Sequence, residues 1–234
     1  MRWEWIPQYF PLLVHGLWLT IQLTVISVVL GFLLAVPIGL VQVTGPRWLA
    51  LPARWFCVFI RGTPLIIQLW LIYYGTGDYL PMLRWTSNVC IGDSCLWDAL
   101  RSGYYYGLVA LILSFAGYEG EVMRGAFQGV PKGELEAARA FGMSPWTVLR
   151  RVWFPRAVRQ VLPTLAGETV LQLKSTPVVF TVTVMDLMGA ASQVRQDLFI
   201  IYEPLLLVAG IYVCLTFIIV LAFRFAESLV PQRR

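Results

Sequence analysis

Polar side chains recur at helical spacing inside stretches that are otherwise apolar, and they are the groups in this chain able to hold a small polar molecule. Thr164, Glu168, Gln172 and Ser175 follow at intervals of four, four and three, which stacks them on one helical face with Thr176 alongside. Ser114, Tyr118 and Glu121 make a comparable face, and Arg61 and Gln68, seven residues apart, share a third, with Gly62 and Pro64 loosening the backbone between them. Polar groups inside an apolar helix are costly unless they face a partner or a watery cavity, so three such faces predict a polar cavity. Glu168 is the strongest ligand candidate. Its carboxylate sits among the helix breakers Pro163, Gly167 and Pro177, a context in which transporters form substrate sites, and it suits an ammonium or guanidinium through a charge-assisted hydrogen bond. Arg61 and Lys174 are expected to form structural ion pairs with Glu121 or another carboxylate, because an unpaired charge at such depth is expensive; contact with a ligand is the alternative. Glu119 fits a gate or a subunit contact, and Asp186 and Glu203 are expected nearer the outer surface, where they would shape the mouth of the cavity.

Catalysis has no comparable support. The one histidine, His15, stands apart from any nucleophile pattern, so no catalytic residue and no metal site is predicted. No G-x4-G-K-[ST] run occurs, so nothing here is expected to cradle a nucleotide phosphate. Cys57 and Cys214 lie in apolar stretches and read as small hydrophobes. Cys90 and Cys95 lie in a polar segment where an oxidising compartment would let them close a disulfide, with free thiols as the other reading.

The elements that position these residues are membrane spans. The chain is 58% hydrophobic and 13% charged, with a mean hydropathy of +0.70, against about 25% charged residues in a soluble domain, which excludes a soluble enzyme. Five stretches are long and apolar enough to cross a bilayer, at about 12–41, 54–75, 104–128, 160–186 and 200–225, within a single transmembrane domain over 1–234. Twelve of the 18 Lys and Arg residues then fall on one side, among them Arg47, Arg54, Lys132, Arg139, Arg150, Arg151, Arg156 and Arg159, and four on the other. Because positive residues are retained on the cytoplasmic side, the N-terminus is expected outside, the C-terminus inside, the 129–159 connection cytoplasmic and the 76–103 loop external. The net charge of +5 is thereby placed beside a membrane, and no nucleic-acid partner is expected.

The 129–159 connection reads as two short helices with firm punctuation. Pro131 opens the first, Glu134 and Glu136 favour its N-terminal end, Ala137, Ala138 and Ala140 propagate it, and Gly142 supplies a left-handed stop. Ser144 caps a second helix with Pro145 at its first position, and Pro155 is expected to end the following stretch. Such a loop docks a partner or lies as an amphipathic helix on anionic lipid.

Glu136-Ala137-Ala138-Arg139-Ala140-Phe141-Gly142, followed by Phe154-Pro155, resembles the "EAA" loop of ATP-binding-cassette importer permeases. Phe59-Ile60-Arg61-Gly62-Thr63-Pro64-Leu65 with Gln68, Tyr118-Glu119-Gly120-Glu121-Val122-Met123-Arg124-Gly125 and Leu173-Lys174-Ser175-Thr176 extend the likeness to the polar-amino-acid permease family. Arg101-Ser102-Gly103, Thr181-Val182-Thr183 and Tyr202-Glu203-Pro204 look most like the M subunit of histidine/lysine/arginine/ornithine or opine importers. The resemblance implies an all-α membrane protein with the type I importer permease fold: five transmembrane helices and a cytoplasmic coupling helix. It implies a multi-pass protein of the bacterial inner membrane, paired with a second, similar but different permease, two ATPase copies carrying ATP and Mg, and a periplasmic solute-binding protein, with membrane lipid around it. Glu136, Ala137, Ala138, Arg139, Gly142 and Pro155 would couple to the ATPase; Glu168, Gln172, Gln68, Thr164, Ser175, Thr176, Tyr118 and Glu121 would face a basic amino acid or an opine. The alternative function is a passive or gated pore for small polar solutes, which would show flux without nucleotide.

Overall fold

The computed structural model describes residues 4–79, 90–91, 94–95 and 102–228. Helix α1 runs over Ile6–Thr44, about 58 Å at 1.5 Å per residue, and stops where Gly45 turns extended ahead of Pro46. The expected second span is not one helix. It divides into α2 (Arg47–Gly62) and α3 (Leu65–Tyr79), with a 106° bend between α2 and Leu65–Gly75. The physical reason is Pro64: the residue before a proline is pushed out of the helical region, and Thr63 is extended at φ −117° and ψ 142°. Gln68 stabilises the break, its Nε2 donating to the Ile60 carbonyl at 2.8 Å, the Thr63 carbonyl at 3.0 Å and Thr63 Oγ1 at 2.7 Å.

Strands β1 (Cys90–Ile91) and β2 (Ser94–Cys95) pair antiparallel, with Cys90 opposite Cys95 in register; the expected Cys90–Cys95 bridge itself concerns side chains outside the described residues. Helix α4 (Gly103–Gly129) follows, capped by Ser102, whose Oγ accepts from the Tyr104 amide at 3.3 Å. Then come α5 (Lys132–Ala140), α6 (Pro145–Val148), a π turn over Leu149–Trp153, α7 (Phe154–Ser175), a 3-10 segment over Thr176–Val182, α8 (Leu187–Leu198) and α9 (Tyr202–Ser228).

Helix α4 is the centre, packed against α1, α2, α3 and α7. Close approach between α1 and α4 depends on small residues, as is common between membrane helices: a Cβ on Gly39 would lie 2.7 Å from Met123 Cβ and 2.8 Å from the Arg124 amide nitrogen. Three apolar clusters stack along the bundle. One joins Trp5 and Leu13 to Leu187, Ala190 and Val194; the second joins Leu23, Leu69 and Leu111 to Val179 and Val182; the third joins Ala35, Met123 and Phe127 to Ala157 and Val161.

Two expectations about helix breaks are overturned. Pro155 does not end a stretch: it lies in the first turn of α7, directly after the π turn. A proline ring clashes with the carbonyl four residues back, here that of Arg151, and the wider π turn relieves that crowding with the Phe154 amide bonded to the Leu149 carbonyl. Pro163 and Gly167 also sit inside unbroken α7. The change of helix type falls instead at Thr176 and Pro177, ahead of left-handed Thr183 at φ +67°.

Among the described residues, α1 and α9 are each long and apolar enough to cross a membrane, and up to four spans result if α2 with Leu65–Gly75, and Pro145–Val182 with α8, each count as one. Helix α4 has the length but carries Glu119, Glu121 and Arg124, tolerable because its neighbours surround it.

Candidate functional site

The break after α2 meets α4 and α7 around a cavity of about 300 Å³. Thr63 enters from the break, Ser114 and Tyr118 from α4, and Glu168, Gln172, Lys174 and Ser175 from α7, while Ile60, Leu65, Phe115 and Leu171 form the apolar walls. A few polar groups converging within apolar walls is the usual composition of a small-molecule site, and this volume is at the small end of the range.

Four of the eight residues expected to face a ligand line this cavity: Glu168, Gln172, Ser175 and Tyr118. Gln172 is partly committed to the fold, since its Nε2 donates to Ser27 Oγ at 3.0 Å and to the Leu111 carbonyl at 2.9 Å, tying α7 to α1 and α4. The other four sit elsewhere. Gln68 stands behind the wall, engaged at the α2–α3 break. Thr164 is exposed and outside the cavity. Thr176 is wholly buried, donating to the Leu173 carbonyl at 2.8 Å and lying 3.2 Å from the Tyr212 hydroxyl of α9. Glu121 accepts from Arg124 Nε at 2.8 Å, a partner three residues away on its own helix.

The two cations expected inside spans behave differently. Arg61 lies over the Tyr118 ring, its guanidinium carbon 5.8 Å from the centroid, and its charge attracts both Glu168 and Glu121. Lys174 opens into the cavity and has no ion-pair partner among the described residues. Asp186 is not at a mouth: it is fully buried, with Oδ1 accepting from the Gly189 amide at 2.8 Å to cap α8. Glu119 is fully buried, and neither carboxylate oxygen has a hydrogen-bond partner among the described residues.

Below α7 the 129–159 connection is seated firmly. Arg156 donates twice to Glu134, at 2.8 Å and 2.6 Å; Trp153 Nε1 donates to the Phe127 carbonyl at 2.9 Å, and the two rings meet edge to face at 5.5 Å. Gly142 is left-handed at φ +76°, its amide bonded to the Arg139 carbonyl at 2.9 Å, which ends α5. Glu136, Ala137, Arg139 and Gly142 are exposed, whereas Ala138 is turned inward, so its small size serves the seat of α5 rather than a partner. Pro155 is half-buried at the head of α7.

Sequence reasoning passed over three residues here. Phe141 and Trp146 are 86% and 68% exposed beside Gly142; two large aromatics in an otherwise polar loop were the available signal. Thr63 was read only as part of a motif. Lys174, expected to pair with Glu121 or another carboxylate with ligand contact as the alternative, has no such pairing among the described residues and is exposed at the cavity.

The profile described as "Binding-protein-dependent transport system inner membrane component" matches residues 27–234. The octopine transport system permease protein OccM of Rhizobium radiobacter is 38% identical, over 97% of this chain and 89% of its own length. The histidine/lysine/arginine/ornithine transport system permease protein HisM of Salmonella typhimurium is 34% identical, over 91% of this chain and 87% of its own length. A solved amino acid ABC transporter with histidines superposes with a TM-score of 0.81 at 28% identity, covering 98% of this chain and 99% of that one. The MetNI methionine ABC transporter shares the fold, with a TM-score of 0.77 at 20% identity, over 99% of this chain and 100% of that one.

Proposed function

The chain belongs to the family of binding-protein-dependent transport system inner membrane components, the permease subunits of ATP-driven importers, and from that premise we propose that it carries a basic amino acid or an opine across a bacterial inner membrane by alternating access. The observation that carries this reading is the cavity around Glu168 on α7, whose helix runs back through the π turn and α6 to the turn at 141–144 that bears the exposed Glu136 to Gly142 surface. Glu168 receives the cation of the cargo, and Tyr118, Gln172 and Ser175 orient it. The cargo class rests on OccM and HisM, whose names specify octopine and histidine/lysine/arginine/ornithine.

In this reading five spans cross the bilayer: α1, the α2–α3 pair, α4, the α7–α8 pair and α9. The N-terminus is outside and the C-terminus inside, so α5 and α6 face the cytoplasm beside most of the chain's cations. Two ATPase copies holding ATP and Mg dock below this chain and a second, similar permease, and an external solute-binding protein delivers cargo. Closure of the ATPases displaces α5, and α7 passes the displacement to the cavity; hydrolysis reverses it. Phe141 and Trp146 supply apolar anchors for the docking groove, and Glu136 and Arg139 its charged rim.

The test is to purify the tagged chain from its native membrane, identify the co-purifying subunits by mass spectrometry, and measure arginine and octopine uptake by the reconstituted assembly. An ATPase and a second permease should be recovered, uptake should require ATP, and Glu168→Gln should reduce uptake by about 10- to 100-fold, the range for losing a charged hydrogen bond. Recovery of the chain alone, with flux that needs no nucleotide, would replace this reading with a passive pore.

A further inference from the structure

Glu119 is a carboxyl group to which the transport reading gives no task. It is wholly buried on α4, and both its oxygens lack a hydrogen-bond partner among the described residues. It stands outside the cavity lining, between two contacts of α4 with α7: on one side Gln172 Nε2 donates to the Leu111 carbonyl at 2.9 Å, on the other Gln160 Nε2 donates to the Gly129 carbonyl at 3.4 Å. No cation is offered to it. On its own helix Arg124 is taken by Glu121. From α2, Arg54 and Arg61 act on Glu121, and Cys57 accepts from Gln42. Helix α1 carries only Tyr9 and His15, both in its first turns, and Tyr73 of α3 packs on Tyr106 near the far end of α4. The 3-10 segment has no titratable group. On α7, Arg156 is bound to Glu134, Arg159 is exposed and Lys174 opens into the cavity, which leaves Glu168, whose field reaches Glu119 and repels it.

An ionised carboxylate cut off from water, cations and hydrogen-bond donors is among the most expensive groups a span can hold. The neutral acid forgoes only the hydrogen bonds of a polar group. A methionine would fill the same space without even that cost, so packing alone does not account for the carboxyl. The seam between α4 and α7 supplies a use for it. Helix α7 is regular from Phe154 to Ser175 and changes to 3-10 form at Thr176, so a displacement arriving from α5 shifts the whole α7 face beside Glu119. Parting the seam admits water, and a solvated carboxyl ionises at neutral pH. We propose that Glu119 is a proton-binding site in the α4–α7 seam: it holds a proton while the seam is closed, as here, and gives it to the entering water when nucleotide-driven motion parts the helices. The pH therefore biases the transport cycle. This rests on the alternating-access reading of α7 and is independent of which cargo the cavity takes.

The experiment uses the assembled transporter in nanodiscs. Infrared spectra at neutral pH should show the carbonyl band of a protonated carboxylic acid free of hydrogen bonds in the wild type and in Glu168→Gln, and no such band in Glu119→Gln. A non-hydrolysable ATP analogue added in weak buffer with a pH-indicator dye should release about one proton per Glu119, and by linkage its affinity should rise with pH by up to about tenfold per unit. Glu119→Gln should remove the release and leave only the pH dependence that the isolated ATPase shows, whereas Glu168→Gln should keep both. Glu119→Met makes the same comparison if the glutamine variant does not assemble. Three results overturn the proposal while leaving the transport reading in place: the band persists in Glu119→Gln, the proton release persists in that variant, or the wild-type band is unchanged when the analogue binds. Uptake by the same preparation in proteoliposomes that needs no nucleotide overturns alternating access itself, and the proton link with it.

Discussion

Replacing Gly142 by alanine tests whether the docking surface depends on backbone conformation. Gly142 is left-handed at φ +76°, and no atom lies within 4 Å of where its Cβ would stand, so alanine meets no collision and suffers only the left-handed penalty of about 1–2 kcal/mol. That is a factor of roughly 5 to 30 in the equilibrium constant between the native turn and its alternatives. The cost should stay local. The bonds that need this turn are those from the Gly142 amide to the Arg139 carbonyl at 2.9 Å and from the Met143 amide to the Ala138 carbonyl at 3.3 Å, while the three apolar clusters lie elsewhere. Titrating the ATPase subunit onto the chain in nanodiscs should therefore show an apparent affinity weakened by up to that factor, since a partner that binds only the competent conformer loses affinity in proportion to its population. Excess ATPase should restore ATP-driven uptake. Gly142→Asn, whose side chain tolerates the left-handed region, should lose less than Gly142→Ala. Wild-type affinity in Gly142→Ala, or an asparagine variant as weak as the alanine one, would refute the conformational argument.

Gly39→Ala should destabilise by about 1–3 kcal/mol through overpacking, because the new methyl meets Met123 Cβ and the Arg124 amide nitrogen below 3.0 Å; an unchanged unfolding temperature in detergent would count against the α1–α4 packing. Phe141→Ser combined with Trp146→Ser should keep that unfolding temperature and lose ATPase co-purification, since both rings are exposed; retained ATPase would exclude them as anchors. Pro155→Ala restores a donor opposite the Arg151 carbonyl and removes the ring that the π turn accommodates, so uptake per ATP hydrolysed should fall without loss of folding, and an unchanged ratio measured in proteoliposomes would show that the π turn does not set the register of the loop.

The helical stripe on α7 and the punctuation of the docking loop were legible in the sequence because both are local. A run of Glu168, Gln172 and Ser175 needs only 3.6-residue periodicity to share a face, and Pro131, Gly142 and Ser144 act on their own turns. What failed was non-local. Thr164 continues the stripe in sequence, yet it is exposed and outside the cavity, which starts at Glu168 on α7. The break itself was written in Pro64, but its 106° bend was not, since that depends on what Gln68 and Ile60 meet after folding. Asp186 looked like a residue of the mouth because hydropathy places it near a span end, whereas its carboxylate is spent on the α8 cap beneath α1, where the Leu187 amide donates to Thr20 Oγ1 at 3.1 Å.

Stiffness decides where a displacement of the loop can be felt. The Arg156–Glu134 pair is half-exposed and contributes at most about 1 kcal/mol, so it orients α5 but cannot bear it. The heavier connection is apolar: Leu135, Leu149 and Trp153 pack onto the cluster of Met123, Phe127, Ala157 and Val161, which fastens α5 to α4 and α7 together. From Phe154 the helix continues without interruption to Ser175, about 33 Å at 1.5 Å per residue, and every cavity residue of α7 lies in its upper turns. Beyond Ser175 the helix changes to the tighter and weaker 3-10 form, while Thr176 is tied to Tyr212 of α9. On the proposed alternating-access reading, a rotation entering at α5 would travel as a rigid body through α7 and be absorbed at Thr176 to Val182, moving the cavity wall that holds Glu168 and Lys174 against the Thr63 break. On that reading the cavity and the point of mechanical compliance coincide because both follow from the same feature, the end of regular α-helix beside Pro177.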